Sequence, residues 1–487
     1  MKVTQLSALV AVSATGITAT GVIPISISHT GRRAIPLTKR ADTYTETLTN
    51  NISYGGYFAS ISVGTPGQTQ DVVLDTGSSD LWLLGSDSST CTESTSSGGG
   101  MGGGQGGQRK SRRATSVCVS TFDTSSSSTF KNLTEAFDIE YVDGSGVEGY
   151  YFTDTVELAG ATIDTVQMAL ADTSDIDYGI MGVGFEADEA AQTLYPNIID
   201  KFYTSGQIGA RAYSLYLDDL DTLSGTILFG GVDSDKYSGD LIAVPIIKDS
   251  SVDNYTSFSV TLSSVAAVAS DGTLSENYTL SDPQVVVLDS GTTLTYLPES
   301  VAESIFTSFG ATYDESLGYA TIDCSQADNT STLLEYQFGG SSGPTIQVAL
   351  SELVIDDGTS RGGGSGMESG SNEESTCAFG VSMSTSTYLL GDTFLRSAYV
   401  VYDLDAKEVA LAQTDFNSTS SSVTAITSGS SIPGVSATAT DVVATATGSS
   451  IGGTTKKSSA ARHVGMEMAP LASIALGALV GVLLISV

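Results

Sequence analysis

Histidine is almost absent from this chain of 487 residues, which contains only His29 and His463. Both lie toward the ends of the chain, so the long stretch between them offers no imidazole. A Ser-His-Asp triad, a Cys-His pair and a His-ligated zinc ion are therefore excluded from the central body. Chemistry there has to use carboxylates, hydroxyl groups or the backbone, and we expect no metal and no cofactor.

Positive charge is also scarce, with 20 lysine and arginine residues against 55 acidic residues and a net charge of −35. Nucleic-acid binding selects basic surfaces, so we expect no nucleic-acid partner. The acidic balance fits a secreted protein and favours cationic substrates through steering. Only 15% of residues are charged, and glycine and tyrosine are abundant, which favours short strands over long helices. We therefore expect an all-β fold, and the length allows two lobes.

Cysteine is limited to four residues, and an even number in a secreted chain indicates disulfides. Of the three connectivities, local pairing of Cys91 with Cys118 and of Cys324 with Cys377 is the simplest and gives each half one bridge. Asn-X-Ser/Thr sequons agree with passage through the secretory route. These glycosylation sequons lie at Asn51, Asn132, Asn254, Asn277, Asn329 and Asn417.

The most informative feature of the sequence is a repeated motif. Residues 72–79 (VVLDTGSS) recur in closely similar form as residues 286–293 (VVLDSGTT). Each copy is an apolar run that predicts a buried strand, followed by a tight turn that carries Asp75 or Asp289. A second match lies downstream, where residues 178–184 (YGIMGVG) correspond to residues 388–393 (YLLGDT). The repeat therefore covers whole lobes, and each lobe supplies one aspartate to a shared site.

Two carboxylates in contact cannot both ionise cheaply, so they share a proton at mildly acidic pH. The charged carboxylate can then take a proton from water while the protonated one polarises a peptide carbonyl, which is general acid–base hydrolysis. For each aspartate alone, the alternative is a structural turn, and the matched pair disfavours that alternative.

The residues around the two aspartates fit this chemistry. We expect glycines at 77 and 291 to let the backbone approach the carboxylates, hydroxyl groups at 76 and 290 to bond across the junction, and hydroxyl groups at 78 and 292 to bond the outer carboxylate oxygens. Local backbone bonding is the alternative for the last pair. These supporting residues are Thr76, Gly77, Ser78, Ser290, Gly291 and Thr292.

With these motifs the chain resembles the pepsin-family (A1) aspartic proteases over most of residues 54–414. The resemblance implies a bilobal β fold with the active site in the cleft between the lobes, and protein or peptide substrates. It implies that Asp75 and Asp289 are the catalytic pair. The two cysteine pairs match disulfides of the family.

Residues 141–146 (YVDGSG) predict a glycine-tipped hairpin. By the resemblance this hairpin is the flap over the substrate, with Tyr141 as its tyrosine and Trp82 as the ring that hydrogen-bonds it. Asp143 and Gly144 are then flap residues on the substrate side, whereas Val142 stands where the family commonly has glycine. Simple packing is the alternative for the two aromatic residues.

The ends of the chain indicate targeting. Residues 1–20 predict a secretory signal peptide, and residues 21–40 predict a propeptide that ends at a dibasic pair, with an unprocessed basic arm as the alternative. Residues 417–459 are rich in serine and threonine and predict an O-glycosylated stalk. Residues 460–487 end in an apolar run and predict a GPI-attachment signal, with a retained transmembrane helix as the alternative.

Between these ends we expect an N-terminal lobe at residues 41–232 and a C-terminal lobe at residues 233–416. The N-terminal lobe contains a flexible Gly/Ser-rich insertion within residues 91–118 that also holds two dibasic pairs. Cleavage there would leave two disulfide-linked fragments, and an uncut loop is the alternative. We expect a monomer.

A finer resemblance is to yapsins, the fungal GPI-anchored aspartic proteases, because of the dibasic propeptide end, the insertion, the stalk and the apolar tail. This resemblance implies processing of proteins after lysine or arginine at the outer face of the plasma membrane or in the cell wall. Asp143 or Glu148 near the flap would suit such substrates. The alternatives are a freely secreted digestive protease and a catalytically silent wall glycoprotein.

Overall fold

The computed structural model describes residues 23–28, 55–92, 118–222, 224–356 and 375–444. Four sequence predictions lie wholly outside these residues: the signal peptide, the centre of the 91–118 insertion, the sequon at Asn51 and the GPI-attachment signal. Residues 29–40 of the predicted propeptide and residues 445–459 of the predicted stalk also lie outside them. The described chain is built mainly of strands with a few short helices, and the expected all-β fold is confirmed.

The first half of the chain forms eleven described strands and two short helices. They are β1 (Ile23–Ser28), β2 (Phe58–Val63), β3 (Gln68–Asp75), β4 (Leu81–Leu84), β5 (Lys131–Glu140), β6 (Gly146–Leu158), β7 (Ala161–Ser174), β8 (Gly179–Gly182), β9 (Ala212–Tyr216), β10 (Ser224–Phe229) and β11 (Gly231–Asp233), with α1 (Ser89–Thr92) and α2 (Ile198–Thr204).

The second half forms the remaining described strands and two more helices. They are β12 (Tyr237–Pro245), β13 (Ser259–Ala269), β14 (Leu274–Tyr278), β15 (Gln284–Leu288), β16 (Thr295–Pro298), β17 (Thr312–Asp314), β18 (Tyr319–Asp323), β19 (Thr332–Phe338), β20 (Thr345–Ala349), β21 (Val354–Ile355), β22 (Thr376–Phe379), β23 (Val381–Ser384), β24 (Leu389–Leu390), β25 (Ala398–Asp403), β26 (Glu408–Thr414), β27 (Val423–Ala425) and β28 (Val435–Thr438), with α3 (Glu299–Phe309) and α4 (Asp392–Leu395).

A 14-stranded sheet joins the two halves in the order β28-β12-β26-β25-β9-β10-β1-β2-β3-β8-β4-β7-β6-β5. The halves meet where β25 pairs with β9 in antiparallel register. An 8-stranded sheet belongs to the second half alone, with β14 beside β13 and the main order β20-β19-β13-β15-β24-β16-β23. The lobes are therefore linked by continuous backbone hydrogen bonding as well as by side-chain packing.

The strands before the two aspartates end in consecutive buried residues, as the apolar runs there indicate. Strand β3 pairs in parallel with β8, so that Asp75 lies opposite Gly182. Strand β15 pairs in parallel with β24, so that Leu288 lies opposite Leu390. The two halves therefore repeat the same strand crossing, and this crossing fixes each aspartate at the end of a buried strand.

The crossing requires glycine. A Cβ atom placed on Gly182 would lie 2.6 Å from the Ser79 backbone nitrogen, and one placed on Gly391 would clash with the Thr292 carbonyl oxygen. No side chain fits where one strand passes directly beneath the turn of the other. The glycines that mark the lobe repeat in the sequence are thus the points of closest backbone approach.

Aromatic rings fill the space beneath the two aspartate turns. Phe258 and Tyr402 lie 4.6 Å apart between ring centroids, and Tyr213 stacks on Tyr402 at 5.0 Å. Phe185 packs on Phe258 from the first half at 5.1 Å. Large rings from both halves therefore share one core, which restricts movement of the lobes against each other.

Both predicted disulfides are present, joining Cys91 to Cys118 and Cys324 to Cys377. The first closes the insertion loop at its base beside the end of β7, because Thr90 next to Cys91 donates its hydroxyl to the Ser174 carbonyl at 2.7 Å. The second joins the start of a short 3₁₀ helix to β22. Each half thus has one bridge.

The segment that follows the C-terminal lobe differs from the expected stalk. Residues 417–444 pack on the lobe, because β27 pairs with β11 and β28 pairs in parallel with β12. Ile426 and Ile432 are buried there beside Val232 and Tyr399. These isolated apolar side chains are spaced among serines and threonines, so average composition concealed a segment that has its own core contacts.

The predicted propeptide also contributes to the sheet. Strand β1, which lies within residues 21–40, pairs along its whole length with β10 and touches β2 at one residue.

Among the described residues, no helix has the length and apolar character needed to cross a bilayer.

Candidate active site

The two repeated aspartates meet at the junction of the lobes. Asp75 and Asp289 are both fully buried. A Cβ atom placed on Gly77 would lie 2.5 Å from Asp289 Oδ1, and one placed on Gly291 would meet Asp75 Oδ1 in the same way. Each turn therefore presents its glycine to the carboxylate of the other turn, and the two acids lie face to face.

Reciprocal hydrogen bonds lock the two turns together. The backbone nitrogen of Thr76 donates to Ser290 Oγ at 3.1 Å, and that of Ser290 donates to Thr76 Oγ1 at 2.9 Å. The same hydroxyls then donate across the junction, from Thr76 to the Leu288 carbonyl and from Ser290 to the Leu74 carbonyl, both at 2.9 Å. These four bonds are buried, so water does not compete with them.

Each carboxylate is held by the same two kinds of donor. The hydroxyl of Ser78 donates to Asp75 Oδ2, and that of Thr292 donates to Asp289 Oδ2 at 2.7 Å. The backbone nitrogen of Gly77 donates to Asp75 Oδ1 at 2.8 Å. Gly291 does the same for Asp289 Oδ1 at 2.9 Å. Both acids are thus oriented with near two-fold symmetry.

Burial raises the pKa of Asp75 well above its ordinary value, and the neighbouring charge of Asp289 raises it further. The hydrogen bonds from Ser78 and Gly77 oppose this shift. Two buried acids in contact titrate as a unit, so the pair holds one proton over a wide acidic range. Such a pair can act as an acid and a base in the same step.

The residues predicted for the flap lie above the pair. Trp82 on β4 donates its indole N–H to Tyr141 Oη at 2.7 Å, and both rings are fully buried. Burial raises the pKa of Tyr141, and the charge of Asp75 raises it further. Tyr141 begins the turn between β5 and β6, so the flap hairpin brings a neutral phenol toward the two acids.

The tip of this hairpin is exposed. Asp143 accepts hydrogen bonds from the backbone nitrogen and the hydroxyl of Ser145, at 2.8 and 2.7 Å. Gly144 has a φ of +89°, a conformation that favours glycine. Asp143 therefore shapes the turn.

A cavity of about 600 Å³ lies beside the flap and opens to solvent. It is lined by acidic side chains from both flap strands and from the segment after β7, namely Asp138, Glu140, Glu148 and Asp175. No lysine, arginine or histidine is among the described residues that line it. Gly144 also lines it, whereas Asp143 does not. The cavity has the charge to accept a cationic group.

Sequence reasoning missed a buried carboxyl group that interacts with Asp289. Asp392 in α4 is fully buried, and neither of its carboxyl oxygens has a hydrogen-bond partner in the described part of the chain. Burial raises its pKa well above the ordinary value, Arg396 opposes this, and Asp289 adds to it. Arg396 is itself buried and its Nε donates to Glu352 Oε2 at 2.6 Å. The sequence signal for Asp392 was the LLGDT motif at residues 389–393, in which only the glycine was interpreted, as a marker of the lobe repeat.

The described sequons all lie at or near the surface. Asn132, Asn254, Asn277 and Asn417 are exposed, and Asn329 is half-buried. Among the described residues, no group of three or more histidine, cysteine, aspartate or glutamate side chains is arranged to hold a metal ion.

A two-lobed β fold with one aspartate turn from each lobe is the architecture of an aspartic protease. The sequence profile described as "Eukaryotic aspartyl protease" matches residues 56–414. This chain belongs to that family.

Relatives extend the match over most of the chain. The probable aspartic-type endopeptidase OPSB of Arthroderma benhamiae is 38% identical over 82% of this chain and 76% of its own. Secreted aspartic protease 8 of Candida albicans is 37% identical over 79% and 82%. Aspartic proteinase 3 of Saccharomyces cerevisiae is 34% identical over 81% and 76%.

A crystal structure of an aspartic proteinase from Irpex lacteus shares the fold, with a TM-score of 0.56 over 82% of this chain and 99% of that one, at 22% identity. The protein is an aspartic-type endopeptidase.

The raised pKa of Asp75 predicts how stability depends on pH. The folded protein binds the proton of Asp75 more firmly than the unfolded chain does, because the pKa of Asp75 is raised in the folded state. Protonated Asp75 therefore contributes its full stabilisation below about pH 4, and this stabilisation is lost as the pH rises through the folded pKa. The free energy of unfolding should therefore fall toward neutral pH, by up to about 1.4 kcal/mol per pH unit for each such proton. Urea unfolding at a series of pH values measures this slope.

Asp75→Asn removes the titrating group and should flatten the slope. Other buried acids make the unfolding free energy fall with rising pH in the same way, since burial raises the pKa of Glu189 to about 9. A residual slope is therefore expected in this variant. An unchanged slope in Asp75→Asn would show that this acid has no raised pKa.

Proposed function

We propose that this endopeptidase hydrolyses peptide bonds at acidic pH with a water molecule activated between Asp75 and Asp289. The observation that carries the proposal is the buried, symmetrically bonded contact between the two aspartate turns. We further propose that it prefers basic residues and acts at the outer cell surface. The intact pair argues against a catalytically silent glycoprotein of the same fold.

The hydrolysis proceeds in two proton-transfer steps. The ionised acid of the pair takes a proton from water as the water oxygen attacks the peptide carbonyl carbon. The protonated acid gives its proton to the carbonyl oxygen, which forms a neutral tetrahedral diol. One hydroxyl proton then returns to the pair while the leaving nitrogen gains a proton, the C–N bond breaks, and one proton remains shared by the pair.

The bonds around the pair suit this cycle because they keep the two acids equivalent. Each acid accepts one hydroxyl and one backbone hydrogen bond, so either can carry the charge. Tyr141 stays neutral, since burial raises its pKa. The flap can therefore cover the site without adding a competing charge, and it excludes water from the reacting groups.

The acid-lined cavity beside the flap supports a preference for basic residues. Glu148 and Asp175 line it together with Asp138 and Glu140, and a lysine or arginine side chain of a substrate would meet four acidic side chains and no basic one there. Of the two acidic residues expected to contribute, Glu148 is therefore favoured over Asp143, which is occupied by Ser145 at the exposed turn.

Secretion and surface attachment are supported by the chain ends and by the relatives. One relative is named a secreted aspartic protease, and the apolar tail at residues 469–487 has the features of a GPI signal. We propose that the propeptide at residues 21–40 is removed on activation, which would take β1 out of the central sheet. We propose that the enzyme is a glycosylated monomer.

Asp75→Asn and Asp289→Asn should each abolish peptide hydrolysis, because an amide can neither take a proton from water nor share one with its neighbour. Activity of the mature enzyme is measured on a fluorogenic peptide near pH 4 and near neutrality, with wild-type activity expected only at the acidic value. Asp154→Asn, a buried aspartate elsewhere in the same lobe, is the matched control. Residual wild-type turnover in either site variant would overturn the mechanism.

Cleavage of a peptide library should show lysine or arginine enriched next to the cleaved bond. Combining Glu148→Gln with Asp175→Asn should lower kcat/KM for basic peptides about tenfold relative to neutral ones, because two cavity charges are lost. Glu157→Gln, an exposed glutamate at the far end of the same strand β6, is the control. Equal use of basic and neutral peptides by the wild-type enzyme would refute the preference and leave the catalytic pair unaffected.

Phosphatidylinositol-specific phospholipase should release the enzyme from the surface of intact cells. A chain that ends at residue 459 lacks the attachment signal and should appear in the medium without treatment. Retention of the full chain after treatment would favour a transmembrane helix, and its spontaneous presence in the medium would favour free secretion.

A further inference from the structure

A third buried carboxylate, Asp80, lies close to the catalytic turn but has no part in the proton transfers. It is 1% exposed. Its Oδ1 accepts hydrogen bonds from the hydroxyls of Tyr151 at 2.8 Å and Tyr195 at 2.7 Å. Its Oδ2 accepts from the backbone nitrogen of Ala190 at 2.8 Å. A buried acid on which two phenol hydroxyls and a backbone nitrogen converge invites a functional explanation.

The partners of Asp80 connect it to the base of the flap. Tyr151 lies on β6, the returning strand of the flap hairpin. Its ring packs edge-on against Phe137 of β5 at 5.3 Å and against Tyr195 at 5.6 Å. One carboxylate therefore holds a ring that touches both strands of the hairpin, on the side that leads to Tyr141.

The backbone of Asp80 is itself fixed by the strand crossing. Its carbonyl accepts from the Gly182 nitrogen at 3.0 Å, so it is tied to the segment beneath the catalytic turn. Two residues further along the chain is Trp82, whose indole donates to Tyr141. Asp80 is thus attached by its backbone to the rigid catalytic loop and by its side chain to the flap.

We propose that Asp80 is a positioning residue that holds the base of the flap hairpin against the strand carrying Trp82, and so keeps Tyr141 above the catalytic pair. It touches neither the substrate nor the reacting atoms. Its action depends on the Tyr151 contact, on the Tyr195 contact and on the Trp82–Tyr141 hydrogen bond.

The phenols beside Asp80 remain hydrogen-bond donors. Burial raises the pKa values of Tyr151 and Tyr195, and the charge of Asp80 raises them further, so both phenols stay neutral donors. Burial also raises the pKa of Glu189 to about 9, so this adjacent acid carries no charge at acidic pH. Asp80 is therefore the acceptor on which the donors converge.

The test is Asp80→Asn in the mature enzyme. An amide has one acceptor end instead of two, so it cannot satisfy both tyrosines and the Ala190 nitrogen in the native way. We expect kcat/KM for a peptide substrate to fall about 10- to 100-fold, the range that misplaced groups remote from the chemistry produce. Because Trp82 is the only tryptophan of the chain, its fluorescence reports directly on its hydrogen bond to Tyr141 and should change as well.

A double-mutant cycle with Tyr141→Phe separates positioning from general loss of stability. If Asp80 acts through the flap tyrosine, Asp80→Asn should change kcat/KM less than about threefold in the Tyr141→Phe background, because the contact it protects is already lost. Full additivity of the two changes would overturn the proposal. Unchanged kinetics and fluorescence in Asp80→Asn would overturn it too.

Asp154→Asn is again the matched control. Asp154 is 1% exposed on the same strand β6 and accepts hydrogen bonds from Ser127 at 2.7 Å and Thr129 at 2.6 Å, away from the flap tip. It should lower the melting temperature as Asp80→Asn does, while kcat/KM and Trp82 fluorescence stay at wild-type values. An equal loss of activity in both variants would mean that Asp80 has only a structural role.

The inference rests on the endopeptidase activity and on no particular substrate preference. The experiment distinguishes a failure of this inference from a failure of the proposed mechanism. An inactive wild-type enzyme would refute the proposed chemistry, whereas an active wild type with a fully active Asp80→Asn variant would refute only the role of Asp80.

Discussion

The structure depends on the reciprocal hydrogen bonds between the turns of Thr76 and Ser290. Two buried acids repel each other when both are charged, and each resists burial when charged alone, so they would separate unless the backbone held them. Four buried bonds of about 1 kcal/mol each oppose that separation, and they gain strength from the dry surroundings. The parallel strand crossings, the glycines beneath the turns and the aromatic core between the lobes all bring these two turns to the same place.

Around this contact the chain places several buried carboxyl groups with few cations. Arg396 neutralises Glu352 and lies near Asp392, and Glu352 also accepts from the backbone nitrogen of Leu220 in the loop between β9 and β10. Replacing one partner of such a pair leaves an uncompensated buried charge, which makes the arrangement hard to alter piecemeal. At acidic pH protonation removes the charge of carboxyl groups whose pKa burial has raised, as it has for Asp392, and so lowers the cost of burying them. The same groups make neutral pH unfavourable for the folded state.

Much of this architecture could be predicted from the sequence, because the active-site motif occurs once in each half of the chain. Asp75 and Asp289, with the glycines two residues after each, stood out by comparison of one half with the other. Local pairing also predicted both disulfides, Cys91 with Cys118 and Cys324 with Cys377. The features that could not be predicted involve residues that occur in only one half of the chain and contact partners far away in the sequence. Asp80 meets Tyr195 across 115 residues, and Arg396 meets Glu352 across 44, and neither pair has a counterpart in the other half to reveal it. The packing of residues 417–444 escaped because two isoleucines among many serines carry too weak a periodic signal.

That packed segment also fixes the place where the chain leaves the folded body. The backbone nitrogen of Ala444 donates to Thr261 Oγ1 at 3.0 Å, so the last described residue is held against the second lobe by a buried hydrogen bond. Residues 445–459 then form the whole span between this point and the proposed lipid attachment. An extended chain covers at most about 3.6 Å per residue, so these 15 residues reach no further than about 54 Å. With the lipid attached at the proposed position, this span is shorter than the full Ser/Thr-rich segment of residues 417–459, so the cleft would stay within that distance of the attachment point.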